Sequence, residues 1–487
     1  MFRCAWLVGV VASIGVSSAT ATVHNLGPTD NWYAYVAGSA LQPGDEVVLA
    51  AGTYTYPYNI NISHRGTAAN PITIRADDGA HVIFTHDINH NIIQLVGAQH
   101  LILRGLELTG GSVGIRIYKS ASHAAKYITV EDCYIHDTDN SGITANHSGN
   151  IYEGLIFRRN HLHNLSGYGE AFYLGTDYNA STFHDGLIEG NYIHDLVDPN
   201  DPKYIKYDGD GIEIKGGSYG NIVRDNVIHD VNGPGVIVYH SGGNPRNIIE
   251  RNVIWNSNDN GIQAAADAII RNNIVINSTA TNIYHRDHQD AIVGNLDVLH
   301  NTAISMTGGV CFRVTMPTGG VLSGPVVVAN NAAFTTGIDF RIESPDVVLA
   351  GNVESTDLAA DFVDAPSLNV FPTATSDVLN AGDPAYAALD DFNTTARNGR
   401  VDAGAYHYDQ DGNPGWPVGP GFKWLAHFGD IDHDGDADLD DAELFVVEMT
   451  GPGGTVADAD CDADSDGDCD LADWAQFAAN ISDASGV

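Results

Sequence analysis

The chain has 487 residues and carries 62 Asp and Glu against 22 Lys and Arg, a formal charge of −40. A surface this acidic repels phosphate backbones and anionic membranes, which argues against nucleic acid as a partner. With 43% apolar residues, 53 glycines and only 4 methionines, the composition suits a packed, turn-rich β protein and excludes a wholly disordered one.

Met1-Phe2-Arg3 is a short positive start, residues 5–16 are an apolar run too short to span a bilayer, and Ala19-Thr20-Ala21 is a small-residue cleavage pattern. Residues 1–21 are therefore expected to be an export signal, and the rest to be secreted or held at the cell surface. No later stretch reaches the ~20 apolar residues of a membrane helix. Loss of the signal removes Cys4 and leaves Cys133, Cys311, Cys461 and Cys469, too few for a disulfide framework. Cys461 and Cys469 are close enough in sequence to pair in an oxidising compartment, or to stay reduced.

A short motif then recurs: Asp132-Cys-Tyr-Ile-His-Asp137, Asn160-His-Leu-His-Asn164, Asn191-Tyr-Ile-His-Asp195, Asn226-Val-Ile-His-Asp230, Asn252-Val-Ile-Trp-Asn256 and Asn273-Ile-Val-Ile-Asn277. It fades through Asn301, Asn331 and Asn352, with steps of 21 to 35 residues. A second apolar run follows in most units, at Gly142-Ile143, Gly211-Ile212, Gly235-Val236, Gly261-Ile262, Gly309-Val310 and Gly337-Ile338. Two or three short strands per unit, with Gly and Asn corners and loops of variable length, describe a β-solenoid. Asn suits the corners because it tolerates left-handed backbone and its amide can bond the Asn of the next coil. His136, His194 and His229 share one register, so their His-Asp pairs read as ladder residues rather than catalytic dyads.

On these repeats the chain resembles the right-handed parallel β-helix of polysaccharide lyases. Residues 41–54 and 66–74 are similar to the opening coils of such enzymes. Residues 30–40, with Trp32, Tyr33 and Val36, would close the open end of the core. Val401-Asp-Ala-Gly-Ala-Tyr406 resembles a closing segment. The resemblance implies one all-β domain over residues 22–409.

Strand alternation predicts a functional patch. Ile212, Val236, Ile262 and Ile283 point inward, so Glu213, Ile237, Gln263 and Tyr284 point outward, as do Lys215, Tyr239, Ala265 and Arg286. Ala171-Phe172 takes the anchor position one coil earlier, placing Glu170 beneath Asp210. Coils lie about 4.8 Å apart, so Glu170, Asp208, Asp210, Glu213, Lys215, Tyr239 and His240 can share one small face. The insertion at 198–207 would wall a groove and contribute Lys203 and Lys206 to substrate binding. His285-Arg286-Asp287-His288 either lines that groove two coils on, with His285 and Arg286 touching substrate, or is a solvated loop.

Three adjacent carboxylates repel one another, and a divalent cation relieves this. Ca²⁺ held by Glu170, Asp208 and Asp210 could pair with a uronate carboxylate and acidify the proton on C5. A neutral Lys215 could take that proton, and Tyr239 or His240 could protonate the departing O4. Asp208-Gly-Asp210-Gly-Ile-Glu-Ile-Lys215 is similar to the alginate lyase and chondroitinase B family, which implies calcium ligands at the acidic positions and a base at Lys215. That family has Glu where Asp208 and Asp210 stand, and an arginine one coil after the lysine where this chain has Tyr239-His240. The expected activity is calcium-dependent β-elimination of an acidic polysaccharide. The alternatives are a glycoside hydrolase using Glu170 or Asp210 with Glu213, a non-catalytic glycan-binding solenoid, or Asp208-Gly-Asp210 as a plain corner with Lys215 as its ion-pair partner.

Residues 410–425, with Pro414, Pro417 and Pro420, read as a linker. The last 58 residues hold 18 acidic side chains and no Lys or Arg. Asp430, Asp432, Asp434, Asp436, Asp438 and Asp441 recur 32 residues later as Asp462, Asp464, Asp466, Asp468, Asp470 and Asp473, each set with a glycine at the sixth position. That spacing supplies the oxygens and sharp turn of a calcium loop. Asp at position 12 and one helix after each loop (442–449 and 474–479) resemble a dockerin. Residues 426–487 are thus expected to be a small α dockerin-like domain with Ca²⁺ as cofactor. The resemblance implies a cohesin-type scaffold partner, with the chain otherwise monomeric.

Overall fold

The computed structural model describes residues 21–77, 79–196, 208–397, 399–410 and 418–423, with Gly412 and isolated positions of the C-terminal segment. Short strands of three to six residues wind into coils, each contributing to three walls. One coil runs Ile222–Arg224, Val227–Val231, Val236–Val238, and the next begins at Asn247–Glu250. Stacked coils build sheets of fifteen, twelve and eleven strands, and every pairing within them is parallel. Among the described strands, Phe362–Asp364 and Asn369–Pro372 form the one antiparallel pair. The expected parallel β-helix is therefore the architecture of the described chain, and none of its described helices is long and apolar enough to cross a membrane.

Alternation sets the core. Ile143, Phe172, Ile212, Val236, Ile262 and Ile283 stack in register and are buried. The glycine before each anchor lets coils close up: a Cβ on Gly211 would lie 2.3 Å from the Gly235 carbonyl oxygen. The helix Trp32–Val36 closes one end, with Trp32 packed edge-on against Tyr54 and Phe84.

The corner asparagines form a continuous ladder. Asn160 Oδ1 accepts from the Cys133 N–H of the preceding coil, and Asn160 donates from both backbone and side chain to Asn191 Oδ1 at 3.0 Å; the pattern repeats through Asn226, Asn252, Asn273, Asn301, Asn331 and Asn352. The left-handed residue is the one before each ladder Asn, namely Arg159, Gly190, Asp225, Arg251, Asn272, His300, Asn330 and Gly351. This corrects the expectation that the ladder asparagines themselves carry that conformation. On the twelve-stranded wall His136, His163, His194, His229 and Trp255 stack face to face, 4.1–5.4 Å apart, as ladder residues.

Beyond the last coils the chain folds back over the twelve-stranded wall. Phe362, Phe371, Phe392, Ala405 and Tyr406 cover Val253, Ile274 and Ile304. Buried Arg397 donates to the carbonyls of Asp402, Gly404, Ala405 and Tyr406. Phe422 joins this second core, and Lys423 pairs with Asp225 at 2.7 Å. The end of the segment expected to be a linker, at Phe422 and Lys423, is docked on the solenoid. The calcium loops, apart from Cys469, Asp470 and Leu471, lie outside the described residues, as do Lys203 and Lys206.

Candidate functional site

The site lies on the outer face of the eleven-stranded wall. One outward row runs Gln94, Arg116, Thr144, Tyr173, Glu213, Ile237, Gln263, Tyr284, Arg313, Arg341, one residue per coil. Loops entering this wall bring Glu170, Asp208, Asp210 and Asp259. Loops leaving it bring Asp177, Lys215, Tyr239, Arg286 and His288. Between the two loop sets lies a groove of about 860 Å³, lined by Asp208, Asp210, Glu213, Lys215, Tyr239 and residues of the following coils.

Lys215 is the hub. Its Nζ lies 2.6 Å from Glu213 Oε1 and 2.8 Å from Asp177 Oδ1, and donates to Tyr239 Oη at 3.3 Å. It also sits over the Tyr173 ring at 4.9 Å. Tyr239 donates to Glu213 Oε1 at 2.8 Å. Burial alone would lower the Lys215 pKa, but the Glu213 carboxylate, with Tyr239 and Asp177, outweighs it and holds the ammonium well above its ordinary range. The neutral base expected from sequence is therefore disfavoured while these carboxylates are uncompensated. Burial, then Glu213, push the Tyr239 hydroxyl upward as well.

The acidic residues are drawn together as expected, and they repel. Burial and then the Glu213 charge raise Glu170 to about 7. Asp210 is raised well above its ordinary value by burial, Glu213 and Glu170, and Asp208 is raised by burial. Gly209, at φ +86°, makes the turn between the two aspartates, so the segment is both a corner and part of the cluster. Glu170 Oε2 accepts from Ser141 Oγ at 2.8 Å. The Asp208 and Asp210 carboxylates accept no hydrogen bond from the described residues. Four oxygen-donor groups with a single neighbouring ammonium are a donor set suited to a hard divalent cation. Their oxygens are not gathered as a preformed trio; among the described residues the one such group within 4.8 Å is His86, Asp87 and His90.

Three expectations are corrected. His285 is 1% exposed and points inward, with Nδ1 3.0 Å from the Ala264 carbonyl oxygen. Burial lowers its pKa to about 4, and it does not touch the groove. His240 is not among the groove-lining residues; its Nε2 lies 3.4 Å from Asp290 Oδ1. Lys215 pairs with Glu213 and Asp177 rather than with the Asp208-Gly-Asp210 corner. Arg286 does line the groove, beside His288, whose ring meets Tyr239 edge-on at 4.9 Å.

Asp177, Tyr173 and Arg313 were not anticipated from the sequence, whereas His288 belongs to the segment expected to line the groove. Outward parity in the strands already marked Tyr173 and Arg313. Asp177 had no such signal, since it reaches Lys215 from an irregular loop that is fixed by Gln289 of a distant coil donating at 2.8 Å.

Two family profiles match the chain, one for a Pel9A-like, right handed beta helix region over residues 10–194 and one for a right handed beta helix region over residues 155–318. The crystal structure of pectate lyase Pel9A is 16% identical, with 81% of this chain and 98% of that one covered and a TM-score of 0.52. The complex of XylC with xylose is 11% identical, covering 79% and 98%, also at 0.52. An alginate lyase from Paenibacillus sp. str. FPU-7 is 17% identical, covering 67% and 99%, at 0.43. No curated protein sequence matches this chain. What the two profiles and the Pel9A and XylC likenesses establish is the class of fold, a right-handed parallel β-helix.

Proposed function

We propose that the protein is a secreted polysaccharide-degrading enzyme that cleaves an acidic glycan by β-elimination. The observation that carries this reading is a buried lysine amine between Glu213, Asp177 and Tyr239, at the edge of a cluster of mutually repelling carboxyls in an open groove. The likeness to the Pel9A structure is one of fold, and supports the reading only at that level.

In the proposed reaction the Lys215 amine, neutral once the surrounding carboxylates are compensated, takes the C5 proton, the C4–C5 double bond forms as the C4–O4 bond breaks, and Tyr239 Oη gives its proton to O4. Glu213 holds both side chains through one oxygen, so acceptor and donor face the same trough. Tyr173 supports the lysine from below. Glu170, Asp208 and Asp210 would hold Ca²⁺, which when bound offsets the carboxylate field on Lys215 and draws charge from the substrate carboxylate. Arg286 would pair with a further carboxylate along the groove.

Incubation with alginate, polygalacturonate and glycosaminoglycans in calcium tests the reading. Ultraviolet absorbance from a new double bond supports it, and reducing ends without that absorbance refute it. One observation favours a hydrolase as the second reading: Glu170, with its pKa near 7, has the profile of a general acid, with Glu213 or Asp210 as its partner. Reducing ends alone would select it.

We further propose that the C-terminal aspartate loops bind Ca²⁺ and form a dockerin-like module that tethers the enzyme to a cohesin-type scaffold. The repeated loop spacing supports this, as does the contact between Phe445 and Trp474, ring centroids 5.3 Å apart, which joins the two expected helices. Calorimetry with EDTA tests it, since chelation should melt the tail well before the solenoid.

A further inference from the structure

The outward row that carries Glu213 runs back through Tyr173 and Thr144 to Arg116, three coils away. At the spacing of neighbouring strands this is about 14 Å. Arg116 is half-buried and lines two adjoining clefts. One, of about 290 Å³, also holds Tyr168, Glu170 and Tyr173. The other, of about 250 Å³, holds Gln94, Tyr118 and His147. The clefts follow the same wall as the main groove, and Tyr173 joins the two regions because its ring also carries Lys215.

Among the described arginines Arg116 differs in making no hydrogen bond or ion pair. Arg224 pairs with Glu189, Arg313 with Glu343, Arg271 with Glu250, and Arg286 contacts His288. Arg116 makes no hydrogen bond or ion pair among the described residues. The chain carries 62 carboxylates, so an acceptor for this arginine would be easy to supply internally. No Arg116 nitrogen is among the buried unpartnered atoms of the described residues, so its five donors stand open to an acceptor from outside the chain. Its planar fork matches a carboxylate through two parallel hydrogen bonds.

We propose that Arg116 anchors a second glycan subsite, binding the carboxylate of a sugar unit three coils from Lys215. The glycan then lies along the solenoid axis, with cations at Arg116 and Arg286 on either side of the acidic centre. This rests on the acidic-glycan reading above, but its test measures binding and not turnover. The full-length protein in calcium is titrated with polygalacturonate, alginate and dextran sulfate, and the variants Arg116→Ala, Arg116→Lys and Arg224→Ala are compared after their melting is checked. Arg224 sits on the fifteen-stranded wall and controls for the loss of one charge. Arg116→Ala should weaken polyuronate binding about 10- to 100-fold. Arg116→Lys should recover part of this, and Arg224→Ala should match the wild type. The proposal is overturned if Arg116→Ala matches Arg224→Ala, if only dextran sulfate is bound, or if wild type binds neither polyuronate. Polyuronate binding that depends on Arg116, without unsaturated product, would sink the lyase chemistry while leaving the subsite in place.

Discussion

On the twelve-stranded wall, His136, His163, His194, His229 and Trp255 stack at the coil spacing, and His136, His194 and His229 each turn Nδ1 to the neighbouring aspartate at 2.6–2.7 Å. On the eleven-stranded wall, Glu170 lies one coil from Asp210 and Glu213, and these like-charged groups share a single neighbouring ammonium. A β-helix repeats whatever it displays about every 4.8 Å. For stacked rings that spacing is favourable contact. For like charges it is repulsion of roughly 3 kcal/mol per pair at an effective dielectric of 20. One wall spends its titratable residues on holding coils together, and the other keeps charge in excess for something outside the chain to satisfy.

The largest expected effect breaks the second wall's chemistry alone. Lys215→Ala should lower turnover about 10³-fold, within the usual contribution of a general base, while the solenoid's melting transition persists. Initial rates from double-bond absorbance measure this, and full activity would remove Lys215 from the mechanism. Damage to the stacking machinery should do the reverse. Asn252→Ala strands the backbone donor of Asn226 and the carbonyls of Val223 and Glu250. It should cost about 2–3 kcal/mol in denaturant unfolding, with turnover per folded molecule unchanged.

The winding and the ladder were legible because they rest on period-2 alternation and on one residue type recurring at one corner. The acidic cluster was legible by the same register argument, since Ala171 and Gly211 fix Glu170 beside Asp210. Register also carried information the sequence reading did not use: with Ile283 inward and Tyr284 outward, His285 had to point inward. What the sequence could not convey was the reach of irregular loops. Asp177 meets Lys215 because Asp177 and Asn179 are tied to Gln289 and Asp290, more than a hundred residues on. No periodicity encodes that contact.

Acid sharpens the contrast because the two walls respond with opposite signs. His161 is lowered from 6.5 to about 3 by burial and then the neighbouring His194, and His163 and His229 are also lowered. The unfolded chain therefore binds more protons, so this stabilisation is present above pH 6.5 and is lost as pH falls toward 3. Glu170 is raised from 4.5 to about 7, so the folded state holds the extra proton and stability falls as pH rises through that window. Calcium must displace this proton, so its affinity should rise several-fold per pH unit below 7 and level off above. Calorimetric titrations at several pH values measure it, and a pH-independent affinity would remove Glu170 from the cation site.

The smallest expected effect separates two adjacent residues on one strand end. His285 is packed beneath the wall and Arg286 stands over the groove. His285→Ala empties a buried site and should lower the unfolding free energy by about 1–3 kcal/mol, with KM unchanged. Arg286→Ala removes a groove cation whose guanidinium lies 5.6 Å from the Tyr284 ring centroid. It should raise KM about 10-fold on a polyuronate, with little change in melting. If both variants shift melting and neither shifts KM, the cationic end of the groove is structural like the histidine stack. The contrast between the two walls would then narrow to the coils that carry Glu170, Lys215 and Tyr239.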